Sequence, residues 1–124
     1  MNVVDSSGWI EFLIAGSNGP AFRAVIDSSD TLVVPTIAIF EVYRWVAREL
    51  GEPQADLAAA MMRNAVVIDL DSELAIISAQ LAAEHRLAMA DSIILATARR
   101  CGAVLWTQDA DFEGIAGIRY IPRA

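Results

Sequence analysis

The stretch Asp91-Ser92-Ile93-Ile94-Leu95-Ala96-Thr97-Ala98-Arg99-Arg100-Cys101-Gly102-Ala103-Val104-Leu105-Trp106-Thr107-Gln108-Asp109-Ala110-Asp111-Phe112 holds the repeating unit of the fold. Its first half reads as a helix over Ala90–Cys101. An aspartate in the first turn and two arginines in the last suit the helix dipole, and Gly102 stops the helix. Ala103–Trp106 then reads as a short apolar strand. Beyond it Asp109 and Asp111 suit a turn, with Phe112 as its anchor in the core.

The same alternation extends outward to both ends. Asn2–Val4 is a short β-branched run and reads as a strand, followed by a helix over Ser7–Ile14. Gly16-Ser17-Asn18-Gly19-Pro20 is a loop, and Pro20 is placed to start a helix over Ala21–Ser28. Leu32–Val34 is a second strand, closed by Pro35. A long helix over Thr36–Leu50 is stopped by Gly51, and Pro53–Arg63 is another helix. Val66–Ile68 is the third strand, Asp71–His85 a helix with an acidic first turn, and Ile118–Ile121 a fifth strand after Ala103–Trp106. Short strands separated by helices call for an α/β fold: a parallel sheet of about five strands with helices on both faces. The 124 residues suffice for a single domain, 1–124, with no linker or repeat.

Composition narrows the function. The apolar fraction, 56%, exceeds the usual ~45–50%, as expected of a sheet buried on both faces or of a surface covered by a partner. Nine basic against sixteen acidic residues give a net charge of −7, which argues against a general nucleic-acid coat. The basic residues are all arginine, and the absence of lysine counts against Schiff-base catalysis, P-loop nucleotide hydrolysis and phosphoacceptor receiver chemistry. A single cysteine, Cys101, rules out an intrachain disulfide or a cysteine metal site. The start lacks signal-peptide features and no apolar run is long enough to span a membrane, so a cytoplasmic protein is the simplest expectation.

In a parallel α/β sheet, ligands sit beyond the carboxyl ends of the strands, where the strand order reverses. Carboxylates occupy those positions. Asp5 directly follows Val3-Val4, Asp109 follows the Ala103–Trp106 strand, and Asp91 opens its helix. Glu41 interrupts an apolar stripe with Ile37 and Trp45 one turn away. Each has an ordinary reading: a helix cap for Asp5, the helix dipole for Asp91, a turn for Asp109, an ion pair with Arg44 or Arg48 for Glu41. Drawn together they would repel, and their natural role is to hold Mg²⁺ or Mn²⁺, hard cations that take oxygen ligands.

These motifs resemble those of the PIN-domain family. The matching segments are Val4-Asp5-Ser6-Ser7, Ile39-Phe40-Glu41-Val42, the run Leu87 to Ala98, and Thr107 to Phe112 as Thr-x-Asp-x-Asp-Phe. The resemblance covers nearly the whole chain, and its last two segments are the more specific. It implies a three-layer α/β/α sandwich around a parallel sheet, and endoribonuclease activity dependent on Mg²⁺ or Mn²⁺ that leaves a 5′-phosphate and a 3′-hydroxyl. Asp5, Glu41, Asp91 and Asp109 become the catalytic, metal-binding set. Ser6 and Thr107 become hydroxyls that orient carboxylates or water, and Asp111 either joins through water or shapes its turn. The small size resembles the VapC toxins of VapBC toxin–antitoxin pairs, which implies an antitoxin partner, an RNA substrate and a homodimer. The alternative is a catalytically inactive PIN-like module that binds RNA or protein.

Other side chains have simpler readings. His85, the sole histidine, ends its helix and favours the dipole. Trp45 and Trp106 read as core and Trp9, near Asp5, as a surface aromatic able to stack a base. Arg44, Arg48, Arg99 and Arg100 are the candidate phosphate contacts. Thr36–Leu50 and Pro53–Arg63 are the candidate partner surfaces.

Overall fold

A computed structural model describes residues 1–123. Five strands, β1 (Asn2–Val4), β2 (Leu32–Pro35), β3 (Val66–Ile68), β4 (Val104–Thr107) and β5 (Ile118–Tyr120), form one sheet in the order β3-β2-β1-β4-β5. Every pairing is parallel. Six helices connect them: α1 (Ser6–Leu13), α2 (Gly19–Ile26), α3 (Thr36–Leu50), α4 (Glu52–Arg63), α5 (Ser72–His85) and α6 (Met89–Arg100). The steps β1→β2 and β2→β3 run in one direction, and β3→β4 returns past both to the other side of β1. Right-handed crossovers therefore place α1–α4 on one face and α5–α6 on the other. The observed packing agrees: α3 lies on α4 and α1, α5 on α6, and α6 against β1, β2 and β4. This is the expected α/β/α sandwich.

The core is the sheet itself. Val3, Val4, Val33, Val34 and Leu105 are fully buried, covered by Trp9 and Phe22 of the first helical pair and by Ile94 and Leu95 of α6. Residues Ser92 to Ala98 are buried without interruption, so the middle of α6 is enclosed on every side rather than amphipathic.

Local signals set the helix limits. Asp5 caps α1 and Asp71 caps α5, each accepting from a backbone N–H three residues on. Gly51, at φ +104°, ends α3 and starts α4, a conformation that L side chains rarely adopt. Gly8 has a different task. A Cβ there would lie 2.6 Å from Val4 Cγ1 and 2.8 Å from the Phe22 ring, so only glycine lets α1 lie this close to β1 and α2.

Most expected elements occur within one or two residues of their expected limits. α2 starts at Gly19 and ends at Ile26, ahead of the expected Ala21–Ser28, because Pro20 fits within its first turn. β4 extends through Thr107, whose pairing with Tyr120 draws it into the sheet. Two short 3₁₀ turns, Ser29–Thr31 and Ala110–Phe112, had no counterpart in the apolar periodicity. Among the described residues, no helix is long and apolar enough to cross a membrane.

Candidate metal centre

The strand order reverses between β1 and β4, and the carboxyl ends of these two strands meet there. Asp5 N donates to Trp106 O at 3.1 Å, which fixes the chain just past β1 against the last residues of β4. Asp5 itself is 2% exposed. Its Oδ1 accepts from Gly8 N at 2.9 Å and Ser7 Oγ at 2.8 Å, and its Oδ2 from Thr107 Oγ1 at 2.6 Å. Asp5 thus caps α1 while standing in the candidate site. Burial nevertheless dominates and pushes its carboxyl up to about 6, against the pull of the Thr107, Gly8 and Ser7 hydrogen bonds.

Thr107 joins two acids. Its hydroxyl donates to Asp5 and accepts from Asp109 N at 2.9 Å. Asp109 then caps the 3₁₀ turn by accepting from Asp111 N at 2.9 Å, while Phe112 buries fully as the anchor of that turn. Across the site, Asp91 stands in the first turn of α6. Glu41 in α3 accepts from Ser6 Oγ at 2.6 Å. Ser6 and Thr107 therefore orient Glu41 and Asp5 respectively, each through one short hydroxyl hydrogen bond.

Asp91, Asp109 and Asp111 each offer an oxygen within 4.8 Å of the others. Asp111, which the sequence left between a water-mediated role and turn-shaping, belongs to this tightest group. Asp5 and Glu41 flank it. The Asp91 carboxyl is pushed up to about 7 by burial and then by the negative charges of Asp109, Asp5, Glu41 and Asp111. The four other carboxylates thus all lie close enough to Asp91 to act on it by charge. Among the described residues no salt bridge reaches any of the five. An all-oxygen donor set with uncompensated negative charge fits a hard divalent cation.

The flanking residues depart from expectation at Trp9 and Arg100, and the ordinary reading of Glu41 does not occur. Trp9 is fully buried in the core, not a surface aromatic: Gly8 lets α1 lie close against β1 and α2, and the indole also meets Phe12, one turn on in the same helix, edge-on. Arg100 is not free for phosphate: its two Nη atoms grip Asp71 at 2.9 and 3.0 Å, clamping α6 to the start of α5. That pairing holds the Asp71 carboxyl down at about 2. Glu41 makes no ion pair with Arg44 or Arg48, because Ser6 takes its carboxylate. Sequence reasoning also missed Gln108 and Asn18. Gln108 is buried, donates weakly to Ser7 O at 3.4 Å and accepts from Asn18 Nδ2 at 3.0 Å; Asn18 also bonds Pro122 O. This network holds the loop between Thr107 and Asp109. A polar residue directly after a strand, between two site residues, was its only signal.

The PIN domain profile matches residues 3–118. The chain belongs to the PIN domain family. No curated protein sequence matches it. Among solved structures, this PIN domain is similar to a toxin–antitoxin complex from Klebsiella pneumoniae, with 25% identity, TM-score 0.81 and full coverage of both chains. It shares the fold of the Mycobacterium tuberculosis toxin VapC20, described as cleaving the sarcin–ricin loop, at 18% identity and TM-score 0.78 over 94% of this chain and 95% of that one. The DNA-bound VapBC of Salmonella typhimurium aligns at 20% identity and TM-score 0.76 over 98% of each chain.

Proposed function

We propose that this PIN domain is a divalent-metal-dependent endoribonuclease and the toxin of a toxin–antitoxin pair, working in the cytoplasm. One observation carries the catalytic reading: Asp91, Asp109 and Asp111 each offer an oxygen within 4.8 Å of the others beside the strand-order reversal, with Asp5 and Glu41 close enough to add their charge and, among the described residues, no cation of the chain paired with any of the five. Asp91, Asp109 and Asp111 form the core of the cation site, completed by Asp5 and Glu41. A bound Mg²⁺ or Mn²⁺ supplies Lewis acidity toward water and the phosphodiester. The chain's own part is to hold these oxygens in place. Thr107 and Gly8 N fix Asp5, Ser6 fixes Glu41, and the 3₁₀ turn fixes Asp109 relative to Asp111.

The toxin reading draws on the neighbouring structures and on a surface. Leu13 of α1 faces Val46, Leu50, Leu57, Ala58 and Met61 of α3 and α4 across an apolar groove. Leu57 and Met61 are 71% and 42% exposed. Such a groove suits the apolar side of an antitoxin segment, and an arginine from that segment could neutralise the acidic site. A homodimer is the second association we assign to this chain.

The test is incubation of the purified protein with total RNA, in Mg²⁺ or Mn²⁺ and in chelator. Cleavage into fragments with 5′-phosphate and 3′-hydroxyl ends, only with metal, is expected. RNA binding without cleavage in any divalent cation would favour the inactive binding module instead.

A further inference from the structure

Asp91 belongs to α6, and Asp111 to the 3₁₀ turn that Phe112 anchors in the core. Asp109 lies in neither a helix nor a strand; it follows Gln108 in the short segment between β4 and that turn. Oxygens of the three acids stand within 4.8 Å of one another, and like charge works to spread them. The part free to yield is the Gln108–Asp109 segment. Gln108 is 3% exposed, and its side chain ends on Asn18. Pro122 O accepts from Asn18 Nδ2 at 3.0 Å, so the amide presents its NH₂ on that side. The other N–H goes to Gln108 Oε1, also at 3.0 Å, which turns Gln108 Nε2 toward Ser7 O, 3.4 Å away. Flipping the Gln108 amide would set donor against donor. Asn18 is itself fixed. Its N–H donates to Glu11 Oε2 at 3.0 Å, and its carbonyl accepts from Ala21 N and from the N–H of the fully buried Phe22. It occupies the N-cap of α2, yet its side chain makes no capping bond. That side chain serves Gln108 and Pro122 instead.

We propose that Asn18, acting through Gln108, is a positioning residue of the cation site: it ties the segment ahead of Asp109 to the start of α2 and so holds Asp109 beside Asp91 and Asp111. The inference rests on the cation-site reading and adds to it a residue outside the acidic set. Asn18 bonds none of the five acids. Its loss leaves every carboxylate present but lets Asp109 move away under repulsion, so the cation must first draw the group together. The cost therefore falls on metal affinity, and saturating metal offsets it.

Calorimetric titration of the full chain with Mn²⁺ tests this on the wild type, Asn18→Ala, Gln108→Met and the double variant. Gln108→Met nearly keeps the volume of the side chain and removes its hydrogen bonds. Each single variant should bind Mn²⁺ about tenfold more weakly. The double variant should lose no more than Gln108→Met alone, because the two residues act through one bond. Ser17→Ala, at an exposed position next to Asn18, should bind as the wild type does. A second readout needs no metal. In chelator, Asn18→Ala should speed hydrogen exchange at Asp109 N–H, which Thr107 Oγ1 holds, and leave the buried α6 amides of Ile94 and Leu95 unchanged. Thermal melting in chelator checks that each variant is folded, and if Gln108→Met unfolds, Asn18→Ala decides by both readouts. Wild-type Mn²⁺ affinity in Asn18→Ala, additive losses in the double variant, or equally faster exchange at Ile94 would overturn the inference while the cation-site reading stands. A wild type that binds no Mn²⁺ would overturn both.

Discussion

Thr107 Oγ1 lies 2.6 Å from Asp5 Oδ2, across the seam where β1 and β4 run side by side. The same oxygen accepts from Asp109 N, so one hydroxyl sets the spacing between two acids that are 104 residues apart in sequence. Thr107→Val keeps the shape but removes both bonds. It should cost about 1–3 kcal/mol by chemical denaturation and about ten- to a hundredfold in RNA cleavage. It should also raise the Asp5 carboxyl above about 6, since this bond is the largest influence lowering it. Thr107→Ser should restore most of each. A fully active Thr107→Val would remove Thr107 from the site.

Gly8 tests how the fold delivers Asp5. In Gly8→Ala the new methyl meets Val4 and Phe22 below 3.0 Å, so α1 must lift away from the sheet and carry its cap with it. The expected cost is about 1–3 kcal/mol, together with weakened Mn²⁺ affinity measured by calorimetry. Unchanged stability would mean that α1 is not held at this distance.

The pH dependence of the metal-free protein follows from Asp5 and Asp91. Both carboxyls are raised well above the ordinary 3.8, to about 6 and about 7. The folded state therefore favours their protonated forms. Their stabilising contribution is complete below about pH 4 and is lost as pH rises through 6 to 7. Asp71, held down at about 2 by Arg100, works in a separate window, with stability present above about pH 4 and lost as pH falls through 2. Melting in chelator should thus peak near pH 4 and decline toward pH 7.5, and Mn²⁺ should flatten the decline. A melting temperature that rises steadily from pH 4 to 7.5 in chelator would contradict the clustering.

Charge removal gives the complementary result. Asp109 is the largest charged influence on Asp91, and Asp109→Asn keeps an oxygen to cap the 3₁₀ turn. At pH 7.5 in chelator this variant should be more stable than the wild type by roughly 1 kcal/mol. Mn²⁺ at about 100 times its dissociation constant should stabilise the wild type by about 2.7 kcal/mol and the variant by less. Equal gains would exclude Asp109 from the cation site.

Much of this was legible in the sequence because the strands are short and the punctuation is explicit. Gly51, Pro20 and Gly102 mark turns, and Asp5 and Asp109 fall directly after apolar runs. The candidate site could be read from the sequence because strand ends share one edge of a parallel sheet. What stayed hidden depends on distances between elements. Whether Asp5 served as a cap or as a site residue could not be decided locally; the structure shows the cap and leaves the same carboxyl buried beside the other acids, where we propose it helps hold the cation. Trp9 reads as exposed from its place beside Asp5, but Gly8 brings the helix so close that the indole is buried. The bond from Arg100 to Asp71 joins two helices through a contact that spacing along one helix cannot reveal.

The central claim is that the carboxylate cluster, through a divalent cation, cleaves RNA. The most direct measurement is single-turnover cleavage of a labelled RNA by the wild type and by Asp91→Asn, each in Mn²⁺ and in chelator, with circular dichroism confirming that the variant is folded. The account predicts cleavage by the wild type in Mn²⁺ alone, and a loss of orders of magnitude in the variant. Near-normal cleavage by Asp91→Asn, or cleavage by the wild type at the same rate in chelator, would contradict it.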